Sequence, residues 1–196
     1  MKKLQFLAIL ICLFLTSCNQ SNPSKNDIKK NAADKKELKR VKKKIVDFLP
    51  KAMETANVDS WLILSGEKDK DPLAKYVGAE KAVGTTAVVF FVDHRGVFRS
   101  VAMSPENEAK ELSKLKIHDK VIPIREGGHA EIMAASFLLN MKRERIAINS
   151  SATNPLANGL SDSLKINLQE LFDDDQYKLV PSTDLVNAWL SDELPK

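Results

Sequence analysis

Thr85-Thr86-Ala87-Val88-Val89-Phe90-Phe91-Val92 reads as a buried strand, nearly continuous in apolar residues and dominated by β-branched and aromatic side chains. Asp93-His94-Arg95-Gly96 turns the chain, and Val97-Phe98-Arg99-Ser100-Val101-Ala102-Met103 continues as an alternating hairpin partner. Working outward, Ser60-Trp61-Leu62-Ile63-Leu64-Ser65 and Arg145-Ile146-Ala147-Ile148-Asn149 predict two more buried strands. Val121-Ile122-Pro123-Ile124 predicts a short strand at a sheet edge, because proline cannot donate to an inner ladder. Tyr177-Lys178-Leu179-Val180 predicts another short strand, and Gly66 to Pro72 a polar loop.

Helical patterns separate these strands. From Lys35, apolar residues recur at Leu38, Val41, Ile45, Phe48/Leu49, Ala52/Met53 and Ala56, with Pro50 expected to kink or divide the helix and Asn57 to stop it. Ser104-Pro105-Glu106 reads as N-cap, first helical residue and acidic first turn of a helix running to about Leu115. Gly127-Gly128 opens a helix through Met141, Ser161 caps one carrying Leu164, Leu168 and Phe172, and Ser182-Thr183-Asp184 starts a last one through Leu190. Strands alternating with helices around a hairpin predict an α/β domain, a three-layer mixed β-sheet flanked by helices. Trp61 and Trp189 are expected as core or interface aromatics.

The N-terminus predicts export. Lys2 and Lys3 precede a short apolar run, Leu4 to Leu15, about half of what a bilayer crossing needs, so residues 1–17 read as a signal peptide. Leu15-Thr16-Ser17-Cys18 resembles the bacterial lipobox, which implies that Cys18 carries the lipid and becomes the first mature residue, anchoring the chain to the envelope membrane. Processing would remove Cys12 and leave one cysteine, excluding an intramolecular disulfide or a cysteine metal site. Residues 18–36 read as a flexible basic tether and 37–196 as the folded domain. The net charge of +4 is uneven: residues 19–44 carry ten Lys/Arg against three acids, whereas residues 45–196 carry 18 against 23. Such a stretch can lie on anionic head groups or be merely solvated. A nucleic-acid partner is not expected, since no aromatics interleave with the lysines.

Catalytic patterns do not assemble. The chain has no His-Glu-x-x-His, no Gly-x-Ser-x-Gly, no Walker loop and no dinucleotide glycine motif, so no catalytic residue, metal site or cofactor is assigned. His94, His118 and His129 fit surface or capping positions better than a shared metal face, and Asp173-Asp174-Asp175 lacks the alternation of a calcium loop. Glu126-Gly127-Gly128-His129 could offer backbone N–H groups to an anion or be a plain turn. Asp71, His94 and His129 are retained as candidate ligand contacts.

Several stretches together resemble the N-terminal domain of the creatinase/prolidase family, especially bacterial Xaa-Pro aminopeptidase-like members. These are Leu49-Pro50-Lys51-Ala52-Met53 with Asn57 to Ser65, the acidic loop ending Asp71-Pro72, Arg145-Ile146-Ala147-Ile148-Asn149-Ser150, Asn158-Gly159-Leu160-Ser161, and Leu179-Val180-Pro181-Ser182 through Trp189-Leu190 to Glu193-Leu194-Pro195. Asn158 stands where the family usually has Asp. The resemblance spans about residues 38–196 and implies a domain that supports dimerisation and shapes a neighbouring subunit's active-site entrance. In that family catalysis belongs to a following domain whose two metals are held by two Asp, one His and two Glu. On this resemblance the chain reaches Lys196 about where that domain would begin. The expectation is therefore a non-catalytic, lipid-anchored binding or dimerisation domain. The alternative is the N-terminal part of a split or truncated Xaa-Pro aminopeptidase, with a partner metallopeptidase subunit on another chain.

Overall fold

A computed structural model describes residues 25–191, with side chains from Asp34 onward. The signal peptide, Cys18 and the Glu193-Leu194-Pro195 segment lie outside the described residues. Six strands form one sheet in the order β4-β3-β2-β1-β5-β6. They are β1 (Ser60–Ser65), β2 (Thr86–Val92), β3 (Phe98–Pro105), β4 (Lys120–Ile124), β5 (Arg145–Ile148) and β6 (Lys178–Pro181). Only β2 runs against the rest: it is antiparallel to both β1 and β3, while β1–β5, β5–β6 and β3–β4 pair in parallel. The predicted α/β three-layer mixed sheet is thus observed.

Side-chain alternation divides the core in two. Trp61, Ile63, Val88, Phe90, Ala102 and Ala147 face α1 (Lys25–Thr55), α2 (Glu106–Leu115) and α5 (Thr183–Leu190). Leu62, Leu64, Val89, Phe91, Val101, Met103, Ile146 and Ile148 face α3 (Ala130–Asn140) and α4 (Asp162–Leu171). β1 is buried at every position, as expected of an inner strand covered on both faces. The β2–β3 hairpin closes on Asp93, whose Oδ1 accepts from the N–H groups of Arg95 (2.9 Å) and Val97 (3.0 Å), with Gly96 at φ +74°. The Val97 N–H leads the groups that draw the Asp93 carboxyl down to about 2.

Four local expectations are corrected. α1 begins at Lys25, so residues 25–36 are helical where a flexible tether was expected. Pro50 lies inside α1, so of the kink or division expected there the division is ruled out; Pro50 has no N–H to offer the carbonyl of Val46, an exposed residue. Ser104 does not cap α2. It is a strand residue paired with Pro123, and its Oγ lies 2.6 Å from Thr86 Oγ1, so β3 runs on to Pro105, which takes the N-cap position. Gly127-Gly128 form a turn ahead of α3 rather than its first residues, and His129 is the N-cap. Asn57, at φ +52°, does follow the end of α1, and Ser161 caps α4 through Leu164 N–H (3.4 Å).

Candidate functional site

The parallel strands β1, β5 and β6 end at the same edge of the sheet, where ligands of α/β folds usually bind. Here that edge holds a buried polar network. Asn149, the first residue past β5, accepts on Oδ1 from Trp61 Nε1 (2.8 Å) and from Ser182 Oγ (2.6 Å). Its Nδ2 donates to Asp71 Oδ2 (2.7 Å). Asp71 Oδ1 accepts from Leu73 N–H (2.8 Å), and Asp71 N–H donates to Ser65 Oγ (3.2 Å), which folds the loop after β1 back over the strand ends. The Asn149 carbonyl accepts from Gly159 and Leu160 N–H, both 3.0 Å, and Ser182 N–H donates to the Ile148 carbonyl (2.9 Å). Gly159 is required by contact: a Cβ there would sit 2.0 Å from Asp71 Oδ2 and 2.9 Å from Asp71 Cα.

The network consumes its own polar atoms. Among the described residues the unpartnered buried side-chain atoms are Ser60 Oγ, Glu108 Oε2, His118 Nδ1, Arg143 Nε and Arg145 Nε, none of which belongs to it. A surface depression of about 230 Å³ adjoins it, lined by Lys70, Asp71, Pro72, Ala74, Lys75 and Glu80. A second, of about 290 Å³, lies between the end of α1 and the start of α5. Both fall below the range of typical small-molecule sites. Asp71 thus fastens loops together beside the first depression, each of its carboxylate oxygens accepting a hydrogen bond.

The three candidate contacts do not converge. Asp71 follows the Ser65 end of β1, whereas His94 sits in the turn after Val92, at the opposite end of the sheet, since Ser60 pairs with Phe91 and Ser65 with Thr86. His129 caps the start of α3, after the turn that follows β4, with Nδ1 3.3 Å from Glu131 Oε1. Among the described residues no group of three or more His, Cys, Asp or Glu is placed to hold a metal ion. No described helix is long and apolar enough to cross a membrane.

His118 corrects the expectation of a surface or capping histidine: it is buried beside Phe90, its Nε2 2.9 Å from the Val77 carbonyl. A carbonyl only accepts, so Nε2 carries the proton and Nδ1 is bare. Sequence gave no sign of this burial, because the residues that enclose His118 come from distant segments.

Asp71 and His118 give opposite pH dependences. Burial raises the Asp71 carboxyl from 3.8 to about 6, against the hydrogen bonds of Asn149 and Leu73. Its stabilising contribution is complete below 3.8 and is lost as pH rises through about 6. Burial lowers the His118 imidazole from 6.5 to about 4, so its contribution is complete above 6.5 and is lost as pH falls through about 4. Each is worth on the order of 3 kcal/mol, and over the shared window they oppose one another. In urea titrations at pH 4, 5 and 6.5, His118→Gln is expected to gain stability on acidification relative to the parent, and Asp71→Asn to lose it. Parallel profiles for all three proteins would exclude this account.

No protein-family model matches the sequence, and no curated protein matches it. Solved structures do. The Xaa-Pro dipeptidase from Bacillus anthracis superposes with a TM-score of 0.52 at 13% identity, over 76% of this chain and 34% of that one. The N-terminal domain of Xaa-Pro dipeptidase from Lactobacillus brevis superposes with a TM-score of 0.50 at 12% identity, over 76% of this chain and 98% of that one. The chain thus spans about a third of the length of the Bacillus anthracis enzyme. At these identities the likeness shows the fold, which is that of the N-terminal domain found in Xaa-Pro dipeptidases.

Proposed function

We propose that this chain is a lipid-anchored, exported domain of the creatinase/prolidase N-terminal type that binds a partner or a second copy and does not itself cleave peptides. The observation that carries the reading is the match to almost the whole of an isolated N-terminal domain. The lipobox-like Leu15-Thr16-Ser17-Cys18 supports the anchor. The internal pairing of Asp71, Asn149, Trp61 and Ser182 supports a scaffold, because these groups are already occupied with one another.

The full chain, incubated with Xaa-Pro peptides and Mn²⁺ or Co²⁺, is expected to release no amino acid above a protein-free blank. Metal-dependent release would overturn the reading. Metabolic labelling with palmitate should mark the chain and should vanish in Cys18→Ser; label that persists in the variant would overturn the anchor. A second reading is a peptidase divided between two chains, favoured by the one-third coverage of the Bacillus anthracis enzyme. It requires a neighbouring reading frame that encodes two Asp, one His and two Glu as metal ligands, and sequencing the flanking DNA decides it.

A further inference from the structure

We propose that the outward face of α1 is a docking surface for an anionic membrane and holds the domain flat against the bilayer. This rests on the Cys18 anchor read above. Val41, Ile45, Leu49, Ala52 and Met53 of α1 are buried in the core shared with α5. The opposite face is therefore committed to solvent. Lys35, Lys36, Lys39, Lys43 and Val46 are exposed there at three-, four- and seven-residue spacings, and half-buried Lys42 borders them on the core side, forming one stripe.

Residues 34–51 hold eight basic side chains against three acidic ones. Glu37 is paired with Arg40, and Asp47 with Lys43. Among the described residues no ion pair engages Lys35, Lys36, Lys39 or Lys42. Val46, 62% exposed, places an apolar side chain among these cations, as interfacial helices do.

Geometry favours the membrane as occupant. With α1 starting at Lys25, only six residues separate the helix from Cys18, a reach of at most about 25 Å over seven Cα–Cα steps. Charges interact with the surface only within a screening length of about 8 Å. A domain standing off its tether leaves the lysines outside that layer, whereas one lying on α1 brings the whole stripe into it. Residues 45–196 carry 18 basic and 23 acidic side chains, so an anionic surface repels the rest of the domain and orients it with α1 downward. The absence of aromatics among these lysines removes the stacking that single-stranded nucleic acid would need.

The test reconstitutes the lipidated full chain into nanodiscs of phosphatidylcholine alone or with phosphatidylglycerol, and follows amine acylation by mass spectrometry. Lys35, Lys36, Lys39 and Lys42 are expected to react about fivefold more slowly on the anionic discs. Lys120 and Lys178 on the edge strands should not change, and high salt should erase the difference. In Lys39→Glu/Lys42→Glu/Lys43→Glu the protection of Lys36 should disappear. Equal reactivity on both discs, with lipid present on the Cys18 peptide, overturns the docking alone. A Cys18 peptide without lipid overturns the anchor and the docking with it. Stronger protection by single-stranded RNA than by anionic discs overturns the choice of partner.

Discussion

Trp189→Ala is expected to lower the free energy of unfolding by about 4 kcal/mol, in the range measured when a buried tryptophan is truncated. Trp189 is fully buried, meets Trp61 edge-on at 5.4 Å and Tyr76 at 6.1 Å, and donates from Nε1 to the Lys44 carbonyl at 3.0 Å. One side chain thus joins α5 to α1, to the central strand β1 and to the loop region after it. Truncation removes the largest apolar surface of α5 and opens a cavity between two helices that cannot collapse while the sheet holds them apart. Trp189→Phe keeps much of the area and loses the hydrogen bond, so it should cost only about 1–2 kcal/mol. Urea unfolding followed by circular dichroism gives both values. A loss below about 1.5 kcal/mol for Trp189→Ala would mean that α5 is not a required wall of the core.

Asn149→Ala is expected to cost a similar amount, about 4 kcal/mol, through a different mechanism. The substitution strands the Trp61 indole N–H, the Ser182 hydroxyl and the Asp71 carboxyl, all buried and each paired with this amide. An unpaired buried group costs about 1–3 kcal/mol. Asn149→Asp separates polarity from charge: it can still accept from Trp61 and Ser182, but it places a second carboxyl against Asp71. Like charges at that distance favour sharing a proton. The Asp variant should therefore be much weaker than the parent at pH 7 and recover toward it at pH 4, while the Ala variant should not recover. An Asn149→Ala protein within about 1 kcal/mol of the parent would show that the network does not fasten the strand ends.

What could be read in advance followed local chemistry. The β2 run, the hairpin turn at Asp93–Gly96, the edge strand with Pro123 and the Ser161 cap all depend on near neighbours, and all are observed. Ser104 departs from expectation because serine before proline and glutamate is also a capping pattern. The pairing of β3 with β4 and the bond to Thr86 outweighed it. α1 starts earlier than its pattern predicts because its first ten residues carry little apolar periodicity. Asp71 could be singled out, but its partner could not: Asn149 meets it only when β1 and β5 lie side by side, 78 residues apart in sequence. His118 was missed for the same reason, since its partner carbonyl lies 41 residues away.

The contact of α1 with α5 also bears on the order of events during synthesis. The first and last described helices form adjacent parts of the same wall, so a growing polypeptide lacks that wall until Trp189 has left the ribosome. Until then Trp61 and the inner side of α1 have nothing to cover them, and the core facing α1 cannot close. The half of the core that faces α1 therefore closes only after α5 has emerged.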